Sequence, residues 1–224
     1  MRSISNSVLD GLPVADDHFR AAIQAGGRDF GLELASEQVD RFVTHFELLV
    51  SWNRKLNLTR IVDPTVAARF HFLESAMLST VLENPAISSR RVVDIGSGAG
   101  FPGLPLACMW ADCEFLLVEP SGKRAVFLKE AIRRLGLLNV TVANVRYSAT
   151  LVRDSDVLVA RALDGFEQLL EAIVTSVAPV IALFTDPTML ARASKLAPNR
   201  ELRIVETPGS KNRRIGILKS LGST

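Results

Sequence analysis

The sequence predicts an α/β chain: a Rossmann-like, mostly parallel sheet of seven strands behind an N-terminal helical extension. Three observations carry this. From residue 91 onward, short apolar runs alternate with stretches of helical period, the pattern of a parallel sheet with crossover helices. The last two apolar runs, near 202–206 and 214–219, have a Pro208-Gly209 turn between them instead of a helix, which suits a hairpin. Before residue 90 only helical patterns occur. Residues 1–88 are therefore assigned to the extension and 89–224 to the sheet domain.

Taken in order, residues 1–13 read as a loose leader, and a helix follows over about 16–30, ended by Gly31. Ser36 caps a second helix whose apolar stripe is Phe42, Val43, Phe46, Leu49 and Val50, and which runs to about Trp52. Residues 52–59 read as a polar turn with apolar anchors, Trp52 among them as a core residue. Asp63-Pro64 opens a third helix through His71 to Leu82, with proline at the first helical position. Pro85 and residues 88–91 close this section. Strands are expected near 91–95, 114–119, 139–144, 156–161 and 179–185, with helices over 103–110, 122–135, 165–177 and 187–196.

A length of 224 residues accommodates one α/β domain and a modest accessory piece. The composition, 48% hydrophobic and 22% charged, is that of a globular enzyme and excludes a disordered chain. No apolar run reaches the ~18 residues of a membrane span, and no signal-peptide core follows Arg2. A cytoplasmic monomer without a membrane partner is expected. Cys108 and Cys113, with no paired histidines, do not make a zinc site, so no metal is expected. A formal net charge of +2 is too small to identify a nucleic-acid partner; the distribution of charge decides that.

Residues 91–107 carry the clearest chemistry. An apolar run ends in Asp94, and glycines follow at alternate positions: Gly96, Gly98 and Gly100. This is a buried strand turning sharply into a helix. Glycine admits positive φ and close backbone approach. The turn is expected to offer a nest of backbone N–H groups to a polar ligand; a tight turn with no ligand is the plainer alternative. Dinucleotide folds space their glycines as G-x-G-x-x-G. The form here, G-x-G-x-G after an acid, resembles the first motif of class I S-adenosylmethionine (SAM) methyltransferases, whose seven-stranded sheet has the same five β/α steps and closing hairpin. An adenosine cofactor needs an acceptor for its ribose hydroxyls, and Glu119 ends the next strand roughly 20 residues on. Its alternative role is a solvated cap before Pro120. After the third strand, Val145 and Tyr147 stand where they would sandwich an adenine, with Ser148 at its edge.

The pattern extends beyond the glycines. Trp52, Asn53, Asn57, Leu58 and Thr59 spell W-N-x-x-x-N-L-T, and His71, Glu74 and Ser75 spell H-x-x-E-S. Residues 101–107 read F-P-G-L-P-L-A, residues 122–128 contain Gly122-Lys123-Arg124 and Phe127-Leu128, and Ala160-Arg161-Ala162 follows the fourth strand. Across about residues 37–165 the chain thereby resembles the RsmG (GidB) family, the bacterial 16S rRNA guanine-N7 methyltransferases. The resemblance implies SAM contacts at Gly96, Phe101, Tyr147, Ser148 and Arg161, beside Asp94, Gly98, Gly100 and Glu119 of the cofactor loop. It implies 16S rRNA, in the small subunit or an assembly intermediate, as partner. Three departures stand out. Glu74 replaces the family's Asp, Ser148 stands where Glu is frequent, and Phe184-Thr185 replaces Lys-Gly after Ala182-Leu183.

Guanine N7 offers an unprotonated lone pair, so methyl transfer to it needs alignment and no general base. No catalytic side chain is therefore assigned. His71 is expected to be structural, hydrogen-bonded near Glu74. Arg161 is expected to meet the SAM carboxylate or an rRNA phosphate, or else to pair with Asp94 or Asp164. Candidate RNA contacts are Arg54, Lys55, Arg60, Lys123, Arg124, Arg161, Lys211, Arg213 and Arg214, though any one cluster also reads as a solvated face. Two alternatives stay open: a SAM methyltransferase of another substrate, and a non-catalytic SAM- or RNA-binding relative.

Overall fold

A computed structural model describes residues 12–82, 91–161 and 166–221. The leader before residue 12, the expected close of the front section at Pro85 and residues 88–90, and Ala162 and Asp164 lie outside these residues. One seven-stranded sheet organises the chain: β1 Arg91–Ile95, β2 Glu114–Val118, β3 Val140–Ala143, β4 Val157–Arg161, β5 Val180–Thr185, β6 Arg200–Glu206 and β7 Arg214–Ser220. Their order is β3-β2-β1-β4-β5-β7-β6. The first five are parallel, and β7 runs antiparallel to β5 and β6. The order reverses between β1 and β4, which opens a crevice at their carboxyl ends, the place where doubly wound sheets bind ligands.

The helices are α1 Leu12–Gly26, α2 Ser36–Leu56, a run α3 from Pro64 to Val81, α4 Gly103–Met109, α5 Gly122–Leu135, α6 Phe166–Val174 and α7 Pro187–Leu196. Asp63 caps α3 by accepting the Val66 N–H at 2.9 Å, with Pro64 at the first position as expected. Within α3, Ala68–Leu73 is π-helical, a widened turn common at functional sites. Two boundaries differ from expectation. Helix α1 begins at Leu12, and α2 continues one turn past Trp52, so the expected polar turn starts only at Asn57, held left-handed at φ 48°.

Local hydrogen bonds account for the W-N-x-x-x-N-L-T segment. The Asn53 amide donates to the Thr59 carbonyl at 3.0 Å, and its oxygen accepts the Thr59 N–H at 2.9 Å. The Thr59 hydroxyl accepts from Ile61 N–H and shares a 2.8 Å bond with His71 Nε2. Trp52 packs on the core and meets Phe127 of α5 edge-on at 5.7 Å, as expected of an anchor.

One apolar cluster joins the front helices to a face of the sheet, running from Phe19, Phe42 and Phe72 to Leu104, Phe127 and Ile217. The other face packs against α6 and α7 through Leu170, Ile173 and Leu190. The front section is thus one of the layers covering the sheet, and it sets one wall of the glycine turn.

Candidate functional site

Gly96, Gly98 and Gly100 all hold positive φ, at 68°, 55° and 89°, directly after β1. A Cβ at Gly100 would lie 2.4 Å from Leu104 Cδ1, so packing as well as backbone conformation demands glycine there. The amides of the turn are bonded within the fold. Gly96 and Ser97 donate to the Val118 carbonyl, Gly98 to Glu119 Oε2, Gly100 and Phe101 to the Ser97 carbonyl, and Gly103 to Asp94 Oδ2. The expected open nest of N–H groups is therefore narrowed: these donors shape the turn, the Ala99 N–H alone of residues 96–101 takes no partner among the described residues, and the surrounding side chains supply the rest of the free polar valence.

Two of those side chains are acids. Asp94 is fully buried; its Oδ2 accepts from Gly103, while Oδ1 has no hydrogen-bond partner among the described residues. Burial raises its pKa to about 7, against the Gly103 hydrogen bond, which pulls the other way. Glu119, at the mouth of β2, accepts Gly98 N–H at 2.9 Å and Ser121 N–H at 2.8 Å. A carboxylate has about four lone-pair sites, so two remain for a ligand. It is buried, which removes the alternative of a solvated cap.

Beyond β3, Ser148 is exposed and bonded to the Thr150 hydroxyl at 2.8 Å. Tyr147 leans on the apolar cluster of the α6 face and donates its hydroxyl to the Ala172 carbonyl at 2.9 Å. Val145 is 45% exposed, so the adenine sandwich has one free wall and one held by α6.

Phe101 is stacked between two imidazoles: His45 of α2 at 4.8 Å and His71 of α3 at 4.6 Å. His45 Nε2 is 2.8 Å from the Ala99 carbonyl, which ties α2 to the turn. Burial lowers the His45 pKa to about 4; His71 goes lower still, through burial and the Arg161 and Arg213 charges. Both rings are neutral at pH 7. His71 is structural as expected, but its partner is Thr59, not Glu74.

Glu74 instead holds Arg161. The Arg161 guanidinium at the end of β4 is 2.7 Å from Glu74 Oε2 and also donates to Ser75 Oγ and the Phe70 carbonyl. The alternative pairing with Asp94 is not formed; Asp94 stays near enough only to act on Arg161 through space. Glu74 also takes Arg213 at 3.0 Å and the Thr207 hydroxyl at 3.0 Å, both from the β6–β7 hairpin. Reading the sequence did not find this carboxylate as a hub, although His71-x-x-Glu74-Ser75 and Arg161 were both flagged by their motifs.

The cations divide into two sets. Arg161, Arg213 and Arg214 are tied into the fold, Arg214 through Glu206 at 3.2 Å. Arg54, Lys55, Arg60, Lys123 and Lys211 are exposed, and Arg124 is half-buried. All lie at the carboxyl edge of the sheet. The last turn of α2 packs on the first turns of α5, Arg60 follows the Thr59–His71 contact, and the hairpin loop extends past the Thr185–Arg214 pair.

The family model described as GidB, rRNA small subunit methyltransferase G, matches residues 38–180. The chain belongs to the GidB family. A relative from Methylococcus capsulatus, "Ribosomal RNA small subunit methyltransferase G", is 34% identical over 181 residues, covering 80% of this chain and 82% of the relative. A protein of the same name from Clostridium beijerinckii is 39% identical over 128 residues, 57% of this chain and 53% of its own length. Matched segments span about half to two thirds of the first such relatives. Among solved structures, the METTL16 MTase domain superposes with a TM-score of 0.58 at 13% identity, covering 91% of this chain and 92% of that one. A SAM dependent methyltransferase from Aquifex aeolicus gives 0.52 at 14% identity, over 70% and 93%. The fold of this GidB-family chain is the Rossmann-like fold of class I SAM methyltransferases.

Two outcomes test this geometry. Glu74→Gln leaves the buried Arg161 guanidinium, and the partly exposed Arg213 beside it, without a counter-charge and is expected to destabilise the fold by about 3–5 kcal/mol in urea unfolding, nearly all of it through Arg161. Glu74→Asp keeps the charge and is expected to cost much less. The second outcome is pH-dependent. Below about 6.5 the unfolded chain protonates both imidazoles, which the folded chain leaves neutral down to about 4 or lower. Folded Asp94 keeps one proton up to about 7 that the unfolded chain has released. Near pH 5–6 the unfolded state therefore binds about one proton more from these three groups, and they make stability rise with pH by about 1.4 kcal/mol per unit. His45→Gln removes one of those protons, so its profile over this window is expected to be flatter by the same slope.

Proposed function

We propose that the chain transfers a methyl group from SAM to N7 of a guanine in bacterial 16S rRNA. The observation that carries this is the β1 mouth: a G-x-G-x-G turn flanked by the unpartnered buried oxygen of Asp94 and by Glu119, in a chain of the GidB family. The orphaned Asp94 oxygen fits a ligand ammonium group, which would compensate its desolvated charge. Glu119 would accept from ribose hydroxyls, and Tyr147 and Ser148 would border the adenine. Bound there, SAM supplies an electrophilic sulfonium methyl.

The chain's own part is positional. Guanine N7 needs no deprotonation, so the work is to hold the two reactants in line and exclude water, which is worth about 7–11 kcal/mol in well-oriented systems. Arg161, neutralised by Glu74, acts by fixing the end of β4 and not as a direct phosphate ligand. The exposed cations Arg54, Lys55, Arg60, Lys123 and Lys211 ring the carboxyl edge and suit a phosphate backbone laid across the mouth. Such contacts make affinity fall steeply with salt. The partner proposed is the small ribosomal subunit or its assembly intermediate, met by a monomer in the cytoplasm. No helix among the described residues is long and apolar enough to cross a membrane.

Incubation with unmodified small subunits and labelled SAM is expected to place 7-methylguanine in the 16S rRNA; its absence overturns the reading. Gly98→Val forces a β-branched residue into φ 55°, and its amide can no longer meet Glu119 without strain. Calorimetry is expected to show SAM binding lost, with the circular-dichroism spectrum of the fold retained.

A further inference from the structure

A recess of about 210 Å³ lies beyond β5, lined by Glu74, Phe184, Thr185, Asp186, Asn212 and Arg213. It is smaller than the roughly 300–1,000 Å³ pockets that take drug-sized ligands, and so suits a single ring system and not a whole nucleotide. Strands lie about 4.8 Å apart, so in the order β1-β4-β5-β7 the recess sits roughly 10 Å from the β1 mouth. A planar base placed in it reaches back toward that mouth.

The polar groups of the recess have a definite character. Asp186 Oδ1 caps α7, accepting from Thr188 and Met189 N–H at 2.8 and 3.1 Å. Its Oδ2 takes no hydrogen bond among the described residues. The Asn212 amide also has no partner there. Arg213 spends one N–H on Glu74 at 3.0 Å and lies over the Phe70 ring at 5.2 Å, with its remaining guanidinium N–H groups unpartnered among the described residues. The recess thus holds one free carboxylate oxygen together with the Asn212 amide and the remaining N–H donors of Arg213.

We infer that this recess reads the target base, with Asp186 accepting from guanine N1–H and N2–H₂ while Asn212 and Arg213 donate to O6. The inference rests on the methyl-transfer reading above and names the residues that select its substrate. Adenine presents a lone pair at N1, which would face the Asp186 carboxylate and lose both hydrogen bonds. With the Watson–Crick edge held at β5 and β7, the N7 edge of guanine turns back toward β4 and β1, where the methyl donor is held. Glu74 serves as a positioning residue that fixes the Arg213 guanidinium on the wall.

Asp186→Asn is the informative variant. Asparagine is as good a helix cap as aspartate, and capping through its carbonyl oxygen puts the NH₂ group where Oδ2 was. A donor then faces the guanine donors. With unmodified small subunits as substrate, Asp186→Asn is expected to keep the SAM dissociation constant and melting temperature of the wild type. Its kcat/KM for methyl transfer is expected to fall at least tenfold. Subunits reconstituted with inosine at the mapped target, lacking the N2 amino group, supply a readout that a merely structural role would not move. The wild type is expected to prefer guanine, and Asp186→Asn to lose most of that preference. Equal kcat/KM for wild type and variant, or an unchanged guanine-to-inosine ratio, overturns the recess as the base site while methyl transfer itself stands. If the wild type transfers no methyl group to the subunits, the function and this inference fall together.

Discussion

The Glu74 carboxylate is the point on which the carboxyl edge of the sheet depends. It is 2% exposed, and three segments distant in sequence converge on it: α3 supplies the carboxylate, β4 supplies Arg161, and the β6–β7 hairpin supplies Arg213 and Thr207. Burying one anion between two guanidiniums is costly in desolvation, and the mutual attraction repays it only with full hydrogen bonding. Here two further donors of Arg161 are taken, by Ser75 Oγ and by the Phe70 carbonyl of the π-helical turn. Such an arrangement adds little net stability over an apolar core, but it strongly penalises any geometry in which one member drifts. Its effect is to fix where β4 ends, and so where the crevice beside β1 opens.

The second constraint comes from neutrality. Phe101 leaves the glycine turn and lies between His45 and His71, each stacked close to parallel with it. Two protonated imidazoles would repel one another and the nearby arginines; kept neutral by burial, they pack as flat hydrocarbon-like faces with one polar edge each. Those edges reach outward to the Ala99 carbonyl and the Thr59 hydroxyl. The glycine turn is thereby held from the front helices as well as from β1 and β2. A turn whose own amides are satisfied internally needs that outside support to stay open toward a ligand.

Strand and helix positions were legible because periodicity and glycine punctuation report them directly: each of the seven expected strands matches an observed one to within about two residues. The acid-plus-glycine turn and Glu119 were legible for the same reason, since their spacing is set by one βαβ unit. What escaped was pairing across the chain. Arg161 was singled out, yet its partner lies 87 residues earlier in a different layer, and no local pattern connects them. His71 was read against Glu74 because both lie on one helix, whereas the π turn places its ring against Thr59. The open amide nest is reduced because the turn is tight enough for its N–H groups, Ala99 excepted, to reach the Val118 and Ser97 carbonyls or the Glu119 carboxylate.

The Phe184 departure becomes intelligible in the same terms. In the sheet register Arg161 lies beside Phe184, and Phe184 beside Ile215, immediately next to the Glu74 cluster. Glu74 already shares its one negative charge between two guanidiniums. A lysine at 184 would bring a third cation to a position that is only 3% exposed, beside a carboxylate already shared by two guanidiniums. Phenylalanine there is consistent with Arg213 having taken the cationic role from the hairpin side, where its guanidinium reaches Glu74, the Phe70 ring and the recess at once.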